Sequence, residues 1–349
     1  MRNILIAGAA AFLAGCGAKF TTLPLMAAVE TTPVPSFDDA ADDPAIWVNL
    51  ENGELSRVIG TDKQAGLAVY DLSGRERQFL AIGPLNNVDL RQGVEDDHPD
   101  VAVASNDGLH AISVFDIDRD TGAVKLAGHI PTDKTDPYGI CLGEGIETPF
   151  RAAVTYRDGY TQIWALRRVR GRLRGEQIGS IQFETGLEGC VFDEFYNALF
   201  VGEEERGVWR VDLTGPDLVP VLVDEIEKKN GLAMDVEGLT IWKGEEGQGF
   251  LVASAQGADR FVVYDRAPPH EPRGVFSIAG GQGIDAVTHT DGIDVVSAPV
   301  GDAYPNGLLV VQDDLNTAPD APQNFKFVDW RNVEDALLLL PPPEDAPES

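Results

Sequence analysis

The chain has 349 residues, with 57 acidic against 27 basic, a net charge of −30 and a pI near 4.3. Acidity spread along the whole length excludes generic binding of DNA, RNA or anionic lipid by the body of the protein, so an anionic ligand must be met by local cations or bound metal. Three cysteines and five histidines without metal-binding spacing point away from a thiolate or imidazole metal centre.

The N-terminus, MRNILIAGAAAFLAGCGAKF, has one arginine and then an apolar core from Ile4 to Leu13, too short to span a bilayer comfortably. Its LAGC ending resembles the bacterial lipoprotein processing box. The expectation is a signal peptide over residues 1–15, a lipidated Cys16, a tether over 16–37 and a place in the cell envelope. The other reading is a plain secretory peptide cut later, near LPLMAA, giving a secreted or periplasmic protein. Both put the domain outside the cytoplasm, where calcium is plentiful, with membrane contact only through the anchor.

From residue 38 onward a pair of segments recurs. Acidic segments read DDPAIWVN from Asp42, NVDLRQG from Asn87, DPYGICLG from Asp136, LEGCVFDE from Leu187, DVEGLTIW from Asp235 and TDGIDVVS from Thr290. Each is followed by a strand-like run: GLAVYDL, AISVFDI, YTQIWAL, GVWRVDL, FVVYDR and GLLVVQD. The copies recur about every 50 residues, separated by Gly, Asp and Asn turns without long amphipathic helices, which is how radial four-stranded blades look in sequence. The expected fold is all-β: one six-bladed β-propeller over residues 38–333, followed by a tail over 334–349.

If each acidic segment opens the innermost strand of its blade, carboxylates from six blades converge at one end of the central channel. Packed within a few Å, they must take up protons or share cations. Calcium suits such a site, because it accepts carboxylate, amide, carbonyl and water oxygens in loose geometry. For any single acid the alternative is a solvated loop carboxylate.

Cys141 and Cys190 differ by one position in the blade register, which predicts opposite strand faces, no disulfide and apolar packing. Of His98, His110, His129, His270 and His289, mostly in expected turns, only His289 lies beside an acidic segment. The run RRVRGRLR, Arg167 to Arg174, fits a solvated hairpin between outer strands away from the channel mouth, with contact to an anionic surface as the other reading. No Ser/His/Asp arrangement stands out.

The segments ADDPAIW, GLAVY, LNNVD, ASN, YG, EG followed by FVGEEE, DVEGLTIW, ASAQG, TDGIDV and QNFKFVDW occur in an order and spacing similar to the β-propeller phytases, over about residues 38 to 332. The resemblance implies six blades, several calcium ions and hydrolysis of phosphate monoesters of myo-inositol hexakisphosphate (phytate). It matches Glu188, Glu204, Asp235, Glu237 and Gln256 to active-site calcium ligands, the four acids forming the catalytic set, with Asp42 and Asp291 at neighbouring ligand positions. Asp43 and the Val88 carbonyl match a more structural calcium site. Glu203 remains a rival to Glu204.

The same resemblance matches Lys63, Tyr138 and Arg157 to phosphate contacts, and Asp158 to a glutamate of shorter reach here. Gln64 replaces a second lysine, and Asp107 stands where many relatives carry a phosphate-binding arginine. The substrate clamp therefore looks thinner than the metal site, which leaves room for a less charged phosphate ester. The implied chemistry is attack by a calcium-activated water, without a covalent intermediate. The partner expected is a small phosphate ester acted on by a monomer, with no nucleic acid. The competing class is a calcium-stabilised propeller that hydrolyses another ester, as a lactonase does, or a non-catalytic surface binding module.

Overall fold

A computed structural model describes residues 20–338 except 216, 227–229 and 318–319. The expected signal segment and Cys16 lie outside the described residues. Six antiparallel sheets form the blades of a β-propeller, with innermost strands Ala41–Trp47, Val88–Arg91, Ile140–Glu144, Leu187–Asp193, Val236–Lys243 and Ile293–Val296 in blades one to six. The core consists of apolar layers between neighbouring blades. Ile46, Val58, Val310 and Phe325 join blades six and one, for example, and Phe200, Val208, Ile241 and Val262 join four and five. Strands covered on both faces in this way are buried along their whole length, as Ala41–Trp47 and Leu187–Asp193 are, so the few acids they carry are buried too.

The acid–glycine pairs have a steric reason. A Cβ on Gly139 would sit 1.9 Å from the Glu188 carbonyl oxygen, on Gly189 2.0 Å from that of Glu237, on Gly238 2.7 Å from that of Asp291, and on Gly292 2.4 Å from the Asp43 Cα. The backbone of each acidic opener thus lies directly on the glycine of the preceding blade, and only a residue without a Cβ allows this approach.

Both expected ends of the domain need correcting. Residues 22–30 are part of the propeller: Thr22–Met26 adds a fifth strand, parallel, to the edge of blade five, and Val29–Glu30 pairs with Asn324–Asp329 as the outermost strand of blade six. Unpaired outer edges of blades five and six drive this pairing, and the second strand closes the ring by joining N-terminal chain to C-terminal blade. The expected tail from 334 begins inside a helix, Trp330–Leu338, whose Trp330, Val333 and Ala336 are buried against blades five and six. No helix among the described residues is long and apolar enough to cross a membrane.

The cysteines are a second correction. Cys141 and Cys190 form a disulfide between the innermost strands of blades three and four, with Cα atoms 5.7 Å apart. The pairing Leu187↔Glu203 followed by Cys190↔Val201 sets three residue steps against two, a bulge absent between Ile140–Glu144 and Phe150–Thr155. The extra residue absorbs the one-position offset, so both sulfurs face the same joint.

Candidate functional site

Every innermost strand starts at the same end of the channel, and the acids gather there from fewer blades than expected. Asp42, Glu188, Glu237 and Asp291 open blades one, four, five and six, and all four are buried. Blade two contributes amides instead, with Asn86 Nδ2 donating to Glu188 Oε1 at 3.2 Å. In blade three Asp136 is exposed beside His110, and Tyr138 takes the place of an acid, its hydroxyl meeting the Glu188 carboxylate. Glu204 and Asp235, both half-buried, come from the loops of blades four and five. The Asp235 carbonyl accepts the Gln256 N–H at 3.0 Å, and the Gln256 amide donates to Asp291. Thus Asp42, Glu188, Glu204, Asp235, Glu237, Gln256 and Asp291 line one mouth.

The electrostatics is that of anions held together against their preference. Burial first, then Glu188, Asp291 and Glu204, push the Glu237 carboxyl well above the usual range. Burial likewise raises Asp42, with Glu188, Asp291 and Asp43 adding to it. Burial and Glu188 push Asp291 up to about 6 and Glu204 up to about 7. One ammonium lies among them: Lys63 Nζ is 2.9 Å from Asp291, 3.8 Å from Asp42 and 2.7 Å from Asp39. Burial opposes its charge, but Asp42, Asp291 and Glu188 outweigh burial and hold its pKa above the ordinary lysine value.

Asp43 lies one residue deeper, where its Oδ2 accepts the Val88 N–H at 3.0 Å across the joint of blades one and two. Burial, then Asp294 and Asp89, raise its pKa. Below it a channel cavity of about 300 Å³ is lined by Asp43, Asp89, Arg91 and Asp294.

Among the described residues no three His, Cys, Asp or Glu side chains stand close enough to hold an ion as they are. The donor set nevertheless fits a hard cation. Both Asp42 carboxylate oxygens and Glu237 Oε2 are buried without a hydrogen-bond donor, and around them are carboxylates, an amide and carbonyls, the oxygen types that calcium takes.

Glu203 is not part of this mouth. Its Oε1 accepts the N–H groups of Glu184 (2.9 Å) and Thr185 (2.8 Å), and its Oε2 accepts Trp209 Nε1 (2.7 Å), so both oxygens are committed to the blade. The Arg157 guanidinium stacks 3.5 Å from the Tyr138 ring centroid, exposed at the rim. Asp158 is taken up by Lys134 at 2.6 Å, which holds its carboxyl below the usual range. Gln64 Nε2 donates to the carbonyls of Phe37 (2.7 Å) and Asp39 (3.1 Å), and exposed Asp107 accepts the Gly108 N–H at 2.8 Å. His289 pairs with Asp314 at 3.5 Å. Sequence reasoning missed Asp39 and Asn86; Asn86 lay inside LNNVD, whereas Asp39 carried no periodic signal.

The phytase family profile matches residues 2–344. The 3-phytase of Bacillus subtilis (strain 168) is 36% identical over 325 residues, covering 89% of this chain and 85% of that protein. The chain belongs to the phytase family. Among solved structures, the crystal structure of BBS1N in complex with ARL6DN, soaked with mercury, superposes with a TM-score of 0.51 at 13% identity over 88% of this chain and 97% of that one, a likeness of fold alone. Within the family frame, Lys63, Tyr138 and Arg157 stand around the carboxylate mouth, whereas the Gln64 amide holds the entry loop.

Proposed function

We propose that this enzyme, a phosphoric monoester hydrolase of the phytase family, releases phosphate from phytate or a related inositol phosphate, using calcium held at the channel mouth. Asp42, Glu188, Glu204, Asp235, Glu237, Gln256 and Asp291 would hold the ions there, and Asp43 with the Val88 carbonyl a more structural one. Calcium would neutralise the carboxylates, attract phosphoryl oxygens and make an attacking water more acidic. The observation that carries this reading is a set of buried carboxylates, with both Asp42 oxygens and Glu237 Oε2 lacking a donor, and one ammonium, that of Lys63, among them in the described residues. Such a site cannot receive a polyanion unless cations come with it.

The chain's own cations then position the substrate. Lys63 supplies one charge inside the mouth, and the Arg157 fork, braced on Tyr138, supplies a planar pair of donors at the rim. Asp158, already paired with Lys134, is not free to take a proton from substrate. The mouth thus has few cations of its own. The test is phosphate release from phytate, a lower inositol phosphate and an aryl phosphate, each with calcium and with chelator. Release from phytate only with calcium supports the reading, and calcium-independent release would reject it.

A further inference from the structure

The arginine run sits on a hairpin that extends beyond its blade. The third and fourth strands of blade three, Tyr160–Val169 and Arg172–Gln182, turn at Arg170 (φ 52°) and Gly171 (φ 78°). The second strand of the blade begins at Phe150, opposite Leu166, so the pairs Arg167↔Arg174, Arg168↔Leu173 and Val169↔Arg172 lie past its end. These three pairs carry the hairpin about 10 Å past the start of that second strand. Arg168 and Leu173 turn inward, Arg168 to Glu95 (2.6 Å) and Asp116 (3.3 Å) and Leu173 into the core. Arg167, Arg170, Arg172 and Arg174 are exposed, and among the described residues their one ion pair is Arg167 with exposed Glu176 at 3.8 Å.

Two arginines directly opposite each other on one face destabilise a hairpin unless an anion lies between or beyond them. This patch also has the sign opposite to that of a chain carrying −30.

Strand direction supplies the second observation. Innermost strands run away from the carboxylate mouth, so the turn between third and fourth strands is at the far end. The fourth strand of blade five, Pro272–Ala279, runs back toward the mouth, and Thr22–Met26 lies parallel to it. The chain therefore enters the propeller from the far end, the end that carries the arginine hairpin. From Cys16 to Thr22 the covalent reach is at most about 21 Å.

We propose that the hairpin docks on anionic phospholipid headgroups, so that the propeller sits with its carboxylate mouth facing away from the membrane. The orientation rests on the reading of Cys16 as a lipidated residue; the headgroup contact does not. Other loops at this end are acidic, with Asp96, Asp97, Glu144 and Glu147 among them. Arg168 answers Glu95 of these loops and Asp116, which leaves Arg170, Arg172 and Arg174 without a carboxylate partner among the described residues. A bilayer of mixed headgroups can meet the turn with a few mobile anionic ones, whereas a nucleic acid or a second copy of this acidic chain brings a fixed anionic surface against the rest of this end.

The test uses the chain from Gly17 onward, which keeps all six blades and carries no lipid, sedimented with phosphatidylglycerol/phosphatidylcholine vesicles and with pure phosphatidylcholine vesicles. Each cation near an anionic surface changes partitioning roughly five-fold. The triple variant Arg170→Gln, Arg172→Gln, Arg174→Gln should therefore lose about 100-fold in binding to the anionic vesicles, at a melting temperature no lower than that of the parent. Binding should fade as salt rises, and Lys125→Gln on blade two should bind as the parent does. Equal binding of parent and triple variant, or no preference for the anionic vesicles, overturns the proposal. It is equally overturned if the triple variant abolishes self-association or retention of a duplex DNA while vesicle binding stays as it was.

Discussion

Gly189→Ala tests the joint on which the mouth is built. Gly189 lies outside the left-handed region, so alanine meets no backbone strain of its own and the effect isolates one contact. The new Cβ would lie 2.0 Å from the Glu237 carbonyl oxygen and 2.8 Å from its carbon, where ordinary contact begins at 3.4 Å. The innermost strands of blades four and five must then part by about 1.4 Å, with backbone on both sides and no flexible side chain to yield. Overpacking of this kind costs about 1–3 kcal/mol. At about 2.1 cal/mol/K of unfolding entropy per residue, a chain of this length shifts by about 1.5 °C per kcal/mol, so differential scanning calorimetry should show a melting point lower by roughly 1.5–4.5 °C. Glu237 moves with its carbonyl, so calcium titrated against the same variant should bind more weakly. Gly215→Ala, with nothing within 4 Å, is the control. If the two variants melt alike, the inner strands do not pack backbone on backbone and the account of the acid–glycine pairs fails.

The raised carboxyls make stability depend on pH in a defined sense. Asp291 near 6, Glu204 near 7 and the raised Asp42 and Glu237 have no effect below their unfolded pKa near 4, where both states are protonated, and destabilise the metal-free fold progressively as pH rises from about 4 through 6–7, where the unfolded chain has lost protons that the fold still holds. Melting points in chelator should therefore fall from pH 5 to 8 while those in calcium do not, and parallel curves would contradict it. Glu203→Gln should destabilise by roughly 1.5–3 kcal/mol, because a buried carboxylate accepting three N–H groups loses its charge, yet keep calcium affinity. Glu204→Gln should do the reverse, and the opposite pattern would exchange their roles. Cys141→Ser with Cys190→Ser releases a loop spanning a sequence separation of 49, worth about 4 kcal/mol in chain entropy, so chemical denaturation should shift accordingly. Lys326→Met should cost about 3–5 kcal/mol by thermal melting, because Asp313 and Asp285 would keep buried charge with no cation.

What the sequence determined by itself is what repeats locally. Blade number, the single ring over most of the chain and the acid–glycine openers all follow from a short motif returning about every 50 residues, since each blade must present the same inner edge to its neighbour. Asp42, Glu188, Asp235, Glu237 and Asp291 are legible for the same reason, as DVEGLTIW and TDGIDV show, whereas Glu204 stands outside the repeat and was matched by the family resemblance alone.

Only the tertiary structure decided matters that depend on one residue of register or on distant chain. A bulge between Leu187 and Cys190, invisible in spacing, turns Cys190 toward Cys141. Adjacent and chemically identical, Glu203 and Glu204 are separated by strand alternation, which sends one to Trp209 and two backbone N–H groups and the other to the mouth. Residues 22–30 lack a complete blade of their own and become strands only where the edges of blades five and six accept them. Lys63 has the same cause: its three carboxylate partners come from the entry loop, blade one and blade six, and ring closure between chain ends brings them to one ammonium.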